Sequence, residues 1–487
     1  MNLNKPLWFA LASIAAVALL HALPAVGVSL EHNVLATARW WAVGALCYYG
    51  YRKNSLTTWI MISMVIGMAV GFDFPVFGAN LEVLSKIFIQ LIKTIIAPLL
   101  FGTLVLAIAG QSNSAQVGRM SIKAFSYFLA ATSVALVVGL VAINISKAGV
   151  LPDSVRERAQ TNKARDVNTA DLTVQLPDST KGEYRLRYQG KTLSPAPETP
   201  KQDWKKILLH IFPENVAKMI YEGAVLQVVI FSLIFGFGVR QVSDSHRKTM
   251  LDWCEALTEI MFKFTGIIMY FAPLAVGGAM AFTVGKMGLD ALQPLMKLLA
   301  TLYVALIAFV LLVFIPVLFF FRIPIRKFFS AIYDSATLAF ATASSESALP
   351  KAMTAMENFG VPRKIVSFVL PTGYSFNLDG STLYLSLASV FCAQAAGIDL
   401  PWGLQLAMMG SLLLTSKGVA GVPRASFVIL TATLAQFHIP EWPTALILGI
   451  DALMDMGRTA INLMGNCLAS AVVARWEGEF DDTKAMQ

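Results

Sequence analysis

The chain has 487 residues, of which 56% are apolar and only 14% charged. So few charges cannot cover a soluble domain of this length, and apolar runs such as Leu302–Phe321 approach or reach the roughly 20 residues of a membrane-spanning helix. The net charge of +8 sits mostly at the ends of these runs, as the positive-inside rule expects, and leaves no footprint for nucleic acid.

Residues 7–27, just after Lys5, form the first apolar run. No small-x-small cleavage site precedes a polar mature terminus, which predicts a membrane helix in place of a signal peptide. Residues 34–51 carry Arg39 near one end and make the weakest span. Stronger runs follow at 57–76, 81–110, 119–146, 207–240, 251–285 and 292–322. If each strong run crosses once, five basic clusters share one side: Arg52 and Lys53; Arg119 and Lys123; Arg240, Arg247 and Lys248; Arg322, Arg326 and Lys327; and Arg475. That side is expected to be the cytoplasm, with the tail 477–487 on it.

Residues 148–205 are charged and proline-containing, and Leu172–Leu176 and Tyr184–Tyr188 alternate with the period of short strands. An extracellular insertion with a small β-hairpin is expected. Cys47, Cys254, Cys392 and Cys467 lie singly in apolar stretches, and the five histidines are dispersed. Neither set has the spacing of a zinc site or a disulfide framework, so packing is the expected role of the cysteines.

From residue 327 onward the pattern changes. Residues 328–341 are too short to cross and end at Thr342-Ala343-Ser344-Ser345-Glu346-Ser347. A re-entrant hairpin over about 327–358 follows. The span 363–395 holds Gly373, Asn377, Asp379 and Gly380 in its middle. Asn-Leu-Asp-Gly favours a turn, and a carboxylate there is costly in lipid, so a helix broken at mid-membrane with Asp379 facing a cation is expected. A second hairpin over about 402–437 has the tip Ser416-Lys417-Gly418-Val419-Ala420-Gly421-Val422-Pro423, and a polar-studded span follows at 440–475. Paired interrupted segments of this kind mark the binding site of membrane carriers.

The last span carries Asp451, Asp455, Arg458, Thr459, Asn462 and Asn466. At helical periodicity all six fall in an arc of about 100°. Interhelical hydrogen bonding rarely needs two carboxylates and an arginine, so this stripe reads as a binding face.

Four segments carry a resemblance: Ser344-Ser345-Glu346-Ser347-Ala348-Leu349-Pro350, Leu370 to Gly380, Ser416 to Pro423, and Asp451 to Thr459. In this order they resemble the glutamate transporter family, the dicarboxylate/amino acid:cation symporters, over roughly residues 57–476. The resemblance implies an all-α polytopic membrane protein with eight core transmembrane helices, two re-entrant hairpins and inverted repeats, to which residues 1–56 add two N-terminal helices. It implies a homotrimer in the inner membrane working as an elevator. Residues 57–118 and 207–285 would form the scaffold, and 119–147 with 292–476 the moving transport domain. The hairpin around Gly421 would be the extracellular gate, its glycines giving hinge freedom.

The resemblance also assigns roles. Arg458 would bind the side-chain carboxylate of an acidic amino acid through its bidentate fork, and Asp455 the α-amino group. Thr459 and Asn462 would hold the α-carboxylate and α-amino group, and Ser345 and Val422 would add contacts from the hairpin tips. Thr132, Asn377 and Asp379 would form one cation site. Ser375 with second-hairpin carbonyls, Ser416 among them, would form another. Gly373, Asn377 and Asn462 would serve a third, next to Asn466. Sodium, protons or both would be the coupling cations, and no cofactor is implied.

Three positions depart from the family. Asn466 stands where an aspartate usually serves the third cation site. Glu346 stands where many sodium-coupled members have serine, and is a candidate proton site. Leu385 stands where animal members carry a glutamate. The alternative substrate is a C4-dicarboxylate, whose carriers typically lack an acid at the position of Asp455, because a dicarboxylate has no ammonium. An intramembrane enzyme is the reading of a different class, but no metalloprotease, serine-elbow or phosphate-loop motif is present. Six substrate-type groups on one helix argue against a bare ion channel.

Overall fold

The computed structural model describes residues 4–22, 31–110, 115–152, 154–155, 158, 186–188, 191–193, 212–221, 225–416 and 425–486, and almost all of them are helical. Helices α1 (Asn4–Ala22) and α2 (His32–Lys53) pack on each other, and α2 packs on α3 (Leu56–Asp73). Arg39, the residue that weakened the second span, turns inward. It pairs with Asp73 at the far end of α3, whose other carboxylate oxygen accepts the Trp40 indole N–H at 3.0 Å. A buried charge is tolerated because it is paired.

After the short α4 (Pro75–Asn80), the run expected at 81–110 is built from α5 (Glu82–Lys93) and α6 (Ile96–Ala109), and α7 (Ala115–Ser146) follows. In the insertion, β1 (Leu186–Tyr188) pairs antiparallel with β2 (Lys191–Leu193). The expected Tyr184–Tyr188 segment thus supplies one strand. Its partner begins at Lys191, which pairs with Tyr188. Leu172–Leu176 lies outside the described residues.

Next come α8 (Val216–Tyr221), α9 (Val225–Val239), α10 (Asp244–Met269) and α11 (Ala272–Met287). The run expected at 251–285 is two helices bent by 48°. Pro273 at the start of α11 removes a backbone donor there and accounts for the bend. The following span joins α12 (Leu292–Phe309), a π-helical turn (Val310–Phe314) and α13 (Ile315–Phe320). Pro316 disturbs the ladder at that turn in the same way.

The C-terminal third alternates as its composition demands. A hairpin of α14 (Ile325–Thr342) and α15 (Ser345–Asn358) precedes α16 (Arg363–Phe376) and α17 (Asp379–Ala395), which are separated by the break at Asn377 and Leu378. Then come α18 (Trp402–Thr415), α19 (Ala425–Gln436), the long α20 (Trp442–Glu477) and the short α21 (Asp482–Met486). By length and composition four described spans could cross a membrane, or five with the bent α10–α11 pair. Helix α9, the α16–α17 pair and α20 lie at the other runs expected to span.

The helices pack as two sets. In one, α11 lies along α3, α4 and α5, while α6 holds α9 and α10. Gly67 permits the α3–α11 contact, since a Cβ there would lie 2.1 Å from the Gly277 carbonyl oxygen. In the other set α20 touches α12, α14, α15, α16 and α17, and α17 also packs on α7; α20 meets the first set at α11, α3 and α5. The polar stripe of α20 is therefore buried among helices, with Asp455 at the boundary of the two sets.

Candidate functional site

Helix α20 delivers its stripe as a buried array. Asp451 and Arg458 are fully buried, and Asp455, Thr459, Asn462 and Asn466 are all at most 8% exposed. Arg458 Nη2 donates to Asp455 Oδ1 at 2.7 Å and lies 3.2 Å from Asp451 Oδ1. Its guanidinium stacks 3.9 Å from the ring centre of Tyr384 on α17, a contact that holds the cation flat. Arg458 Nε and Nη1 are buried and meet no hydrogen-bond acceptor among the described residues. One edge of the fork is thus spent on protein carboxylates, and two donors remain.

The break between α16 and α17 lies against the next turns of this stripe. Asn377 Nδ2 donates to Asp379 Oδ2 at 3.3 Å and to Asn466 Oδ1 at 3.1 Å. Asn377 Oδ1 is buried with no hydrogen-bond partner among the described residues. Gly465 faces the Asp379 carboxylate, where a Cβ would stand 2.4 Å from Oδ2. Gly373 faces Asn466 in the same manner, at 2.3 Å from Oδ1. One carboxylate, one spare amide oxygen and the turn's carbonyls form an oxygen-rich pocket suited to a hard cation. Asn462 closes the array against α17: its Oδ1 accepts the Ser381 N–H at 3.2 Å and its Nδ2 donates to Ser381 Oγ at 2.9 Å.

The other expected residues fall around this core. Thr132 is fully buried on α7, the helix that packs on α17. Ser345 opens α15, and its carbonyl accepts the Tyr374 hydroxyl. Ser344 caps α15 by accepting the Ser347 N–H at 3.4 Å. Ser416 ends α18 and donates locally to the Leu413 carbonyl at 3.4 Å. Ser375 takes its place in α16, but its side chain lies outside the description, as do Val422, Gly421 and Lys417. Glu346 is exposed. With Asp455, Thr342, Thr57, Thr265 and Tyr270 it lines a cavity of about 350 Å³ between the two helix sets. Lys263 of α10 is within electrostatic reach of Glu346.

Three members of the site were not named from sequence as site residues. Asp451 was legible on the stripe, but its pairing with Arg458 was not. Tyr384 lies among apolar residues and Ser381 just past the turn at Asp379 and Gly380, and neither shows a partner until α17 is laid on α20.

This arrangement can bind a carboxylate at Arg458 and a cationic group at Asp455, beside a separate cation pocket at Asp379. A profile of the sodium:dicarboxylate symporter family matches residues 56–476. The chain is 37% identical over 439 residues to a proton/sodium-glutamate symport protein of Geobacillus stearothermophilus, covering 90% of this chain and 98% of that protein. It is 35% identical over 435 residues to a C4-dicarboxylate transport protein of Bacillus subtilis (strain 168), covering 89% and 96%. It is 36% identical over 442 residues to a proton/glutamate-aspartate symporter of Escherichia coli (strain K12), covering 89% and 95%. The matched region holds both hairpins, the broken span and the polar helix, and the chain belongs to the sodium:dicarboxylate symporter family.

Proposed function

We propose that this protein is a secondary active symporter that carries glutamate or aspartate into the cell together with cations. The observation that carries the reading is that buried Arg458 lies between two carboxylates of which one, Asp455, also borders the cavity. Asp455 accepts from Arg458 at 2.7 Å and can meet a ligand's ammonium from the cavity side while keeping that bond. An α-ammonium suits a site that already holds two carboxylates beside one guanidinium. A C4-dicarboxylate brings only further negative charge to it.

In this reading Arg458 takes the substrate's side-chain carboxylate on its remaining donors. Thr459 and Asn462, with Ser345 and Val422 from the hairpin tips, hold the amino acid backbone. Thr132, Asn377 and Asp379 form one cation site, Ser375 and Ser416 contribute to another, and Gly373, Asn377 and Asn462 line a third, next to Asn466, for sodium, protons or both. Residues 57–118 and 207–285 form the trimer scaffold, and 119–147 with 292–476 the moving domain. The basic ends of the spans and the tail 477–487 face the cytoplasm. The assembly sits in the inner membrane.

Uptake by purified protein in liposomes tests the substrate. Labelled aspartate and glutamate should accumulate, and Asp455→Ser should cost them at least ~10-fold more than it costs succinate or malate. A wild type that carries malate and no amino acid would establish the dicarboxylate reading in place of this one.

A further inference from the structure

Among the contacts between the helix sets are two polar ones that join residues from different levels of their spans. Lys93 Nζ lies 3.0 Å from both carboxylate oxygens of Glu441. Lys93 is deep in its span, eleven residues along α5 from Glu82, or ~16 Å of helical rise. Glu441 caps the start of α20, whose other end carries Arg475. Glu82 and Glu441 both belong to the span ends remote from the basic clusters, so in a level arrangement they would be neighbours.

The second contact is Thr57 Oγ1 donating to the Thr342 carbonyl at 3.2 Å. Thr57 sits at the basic-flanked end of α3, just after Arg52 and Lys53. Thr342 ends α14, sixteen residues beyond Arg326, up to ~24 Å from the basic-flanked end of its own helix. Both landmarks are offset in the same sense: the set built on α20 is displaced toward the basic-flanked side relative to the set built on α3 and α11.

We propose that this arrangement is one end state of the carrier's movement, and that the Lys93–Glu441 ion pair is a latch that forms only in that state. The inference rests on the reading that the two helix sets move relative to each other. An upward return of α20 by the same offset would carry Glu441 away from Lys93 to the level of Glu82, so the pair must part in each cycle. Its side chains are 40% and 46% exposed, which limits its effect on the population of the state to roughly two- to fivefold. A latch of that strength biases the cycle without locking it.

Spin labels at exposed Ile260→Cys on α10 and Tyr333→Cys on α14, with Cys47 replaced by serine, report the offset without requiring transport. With labelled chains diluted into unlabelled protein so that only distances within one protomer are read, two distances are expected in liposomes, and acidic ligand with cations should change their shares. Lys93→Glu should reduce the share of the latched distance at least two- to fivefold, the milder Glu441→Gln should reduce it less, and the swap Lys93→Glu with Glu441→Lys should restore it. Equal shares in wild type, single variants and swap would overturn the latch. A single distance under every condition would overturn both the latch and the relative movement. Uptake by the same samples tests the substrate reading independently.

Discussion

Arg458 is the only cation among the six stripe residues, and its loss leaves Asp451 and Asp455 facing each other in a buried site. Removing one partner of a buried ion pair costs about 3–5 kcal/mol. Arg458→Cys should therefore reduce glutamate and aspartate uptake at least ~100-fold, while a small neutral amino acid gains access. Competition assays with serine check this, and unchanged affinity for acidic substrates would remove Arg458 as the anchor. Gly465→Ala tests the cation pocket, because its Cβ would sit 2.4 Å from Asp379 Oδ2. The carboxylate must swing away, so half-saturation by the coupling cation should rise ~10-fold or more with substrate chemistry unchanged. The stripe itself was legible, because a fixed helical period places residues 451 to 466 on one face whatever surrounds them. Tyr384 and Ser381 were not, because their roles arise only from the packing of α17 on α20, which no local period encodes.

At the scale of elements, breaks were more legible than pairings. Asn-Leu-Asp-Gly and the serine-rich tip announced where α16 and α14 stop, since these residues compete with helical hydrogen bonding. The tip is also strained: Ala343 follows α14 with φ of 49°, in the left-handed region. Ala343→Gly should relieve about 1 kcal/mol and raise the melting temperature slightly, and a fall would show that the tip's conformation is not limited by that residue. The bend between α10 and α11 was missed because Pro273 lies inside an uninterrupted apolar run. Arg39 was misleading for the opposite reason, as its partner Asp73 stands 34 residues away on another helix. Arg39→Ala leaves Asp73 buried with Trp40 as its donor. It should free α1 and α2 for proteolysis at a cost of about 2–4 kcal/mol, while Arg39→Met with Asp73→Leu recovers most of the docking. Equal protease resistance of Arg39→Ala and wild type would show that apolar packing alone holds the pair.

A symporter draws on a cation gradient, and the charge inventory of the whole molecule bears on which cation. Asn466 stands where the family usually places an aspartate, and its Oδ1 already accepts from Asn377 at 3.1 Å. A neutral, engaged oxygen contributes less to a sodium site than a carboxylate, because charge count helps set the affinity for a hard cation. Among the described residues Asp379 is then the one carboxylate left on that side of the site. Glu346 adds an acid at the first hairpin tip, on the same cavity as Asp455 and therefore on the path between the substrate site and the boundary of the two helix sets. Protons are expected to replace at least one sodium ion of the family's cycle. Uptake in sodium-free buffer should respond to an inward proton gradient, and Glu346→Gln should weaken that response several-fold while substrate binding persists. Asn466→Asp should move the balance toward sodium, at some cost in stability, since it sets a second carboxylate one amide away from Asp379. Strict dependence on sodium in the wild type, with no response to the proton gradient, would show that carbonyls and amides suffice to hold the ion and that Asn466 leaves sodium coupling intact.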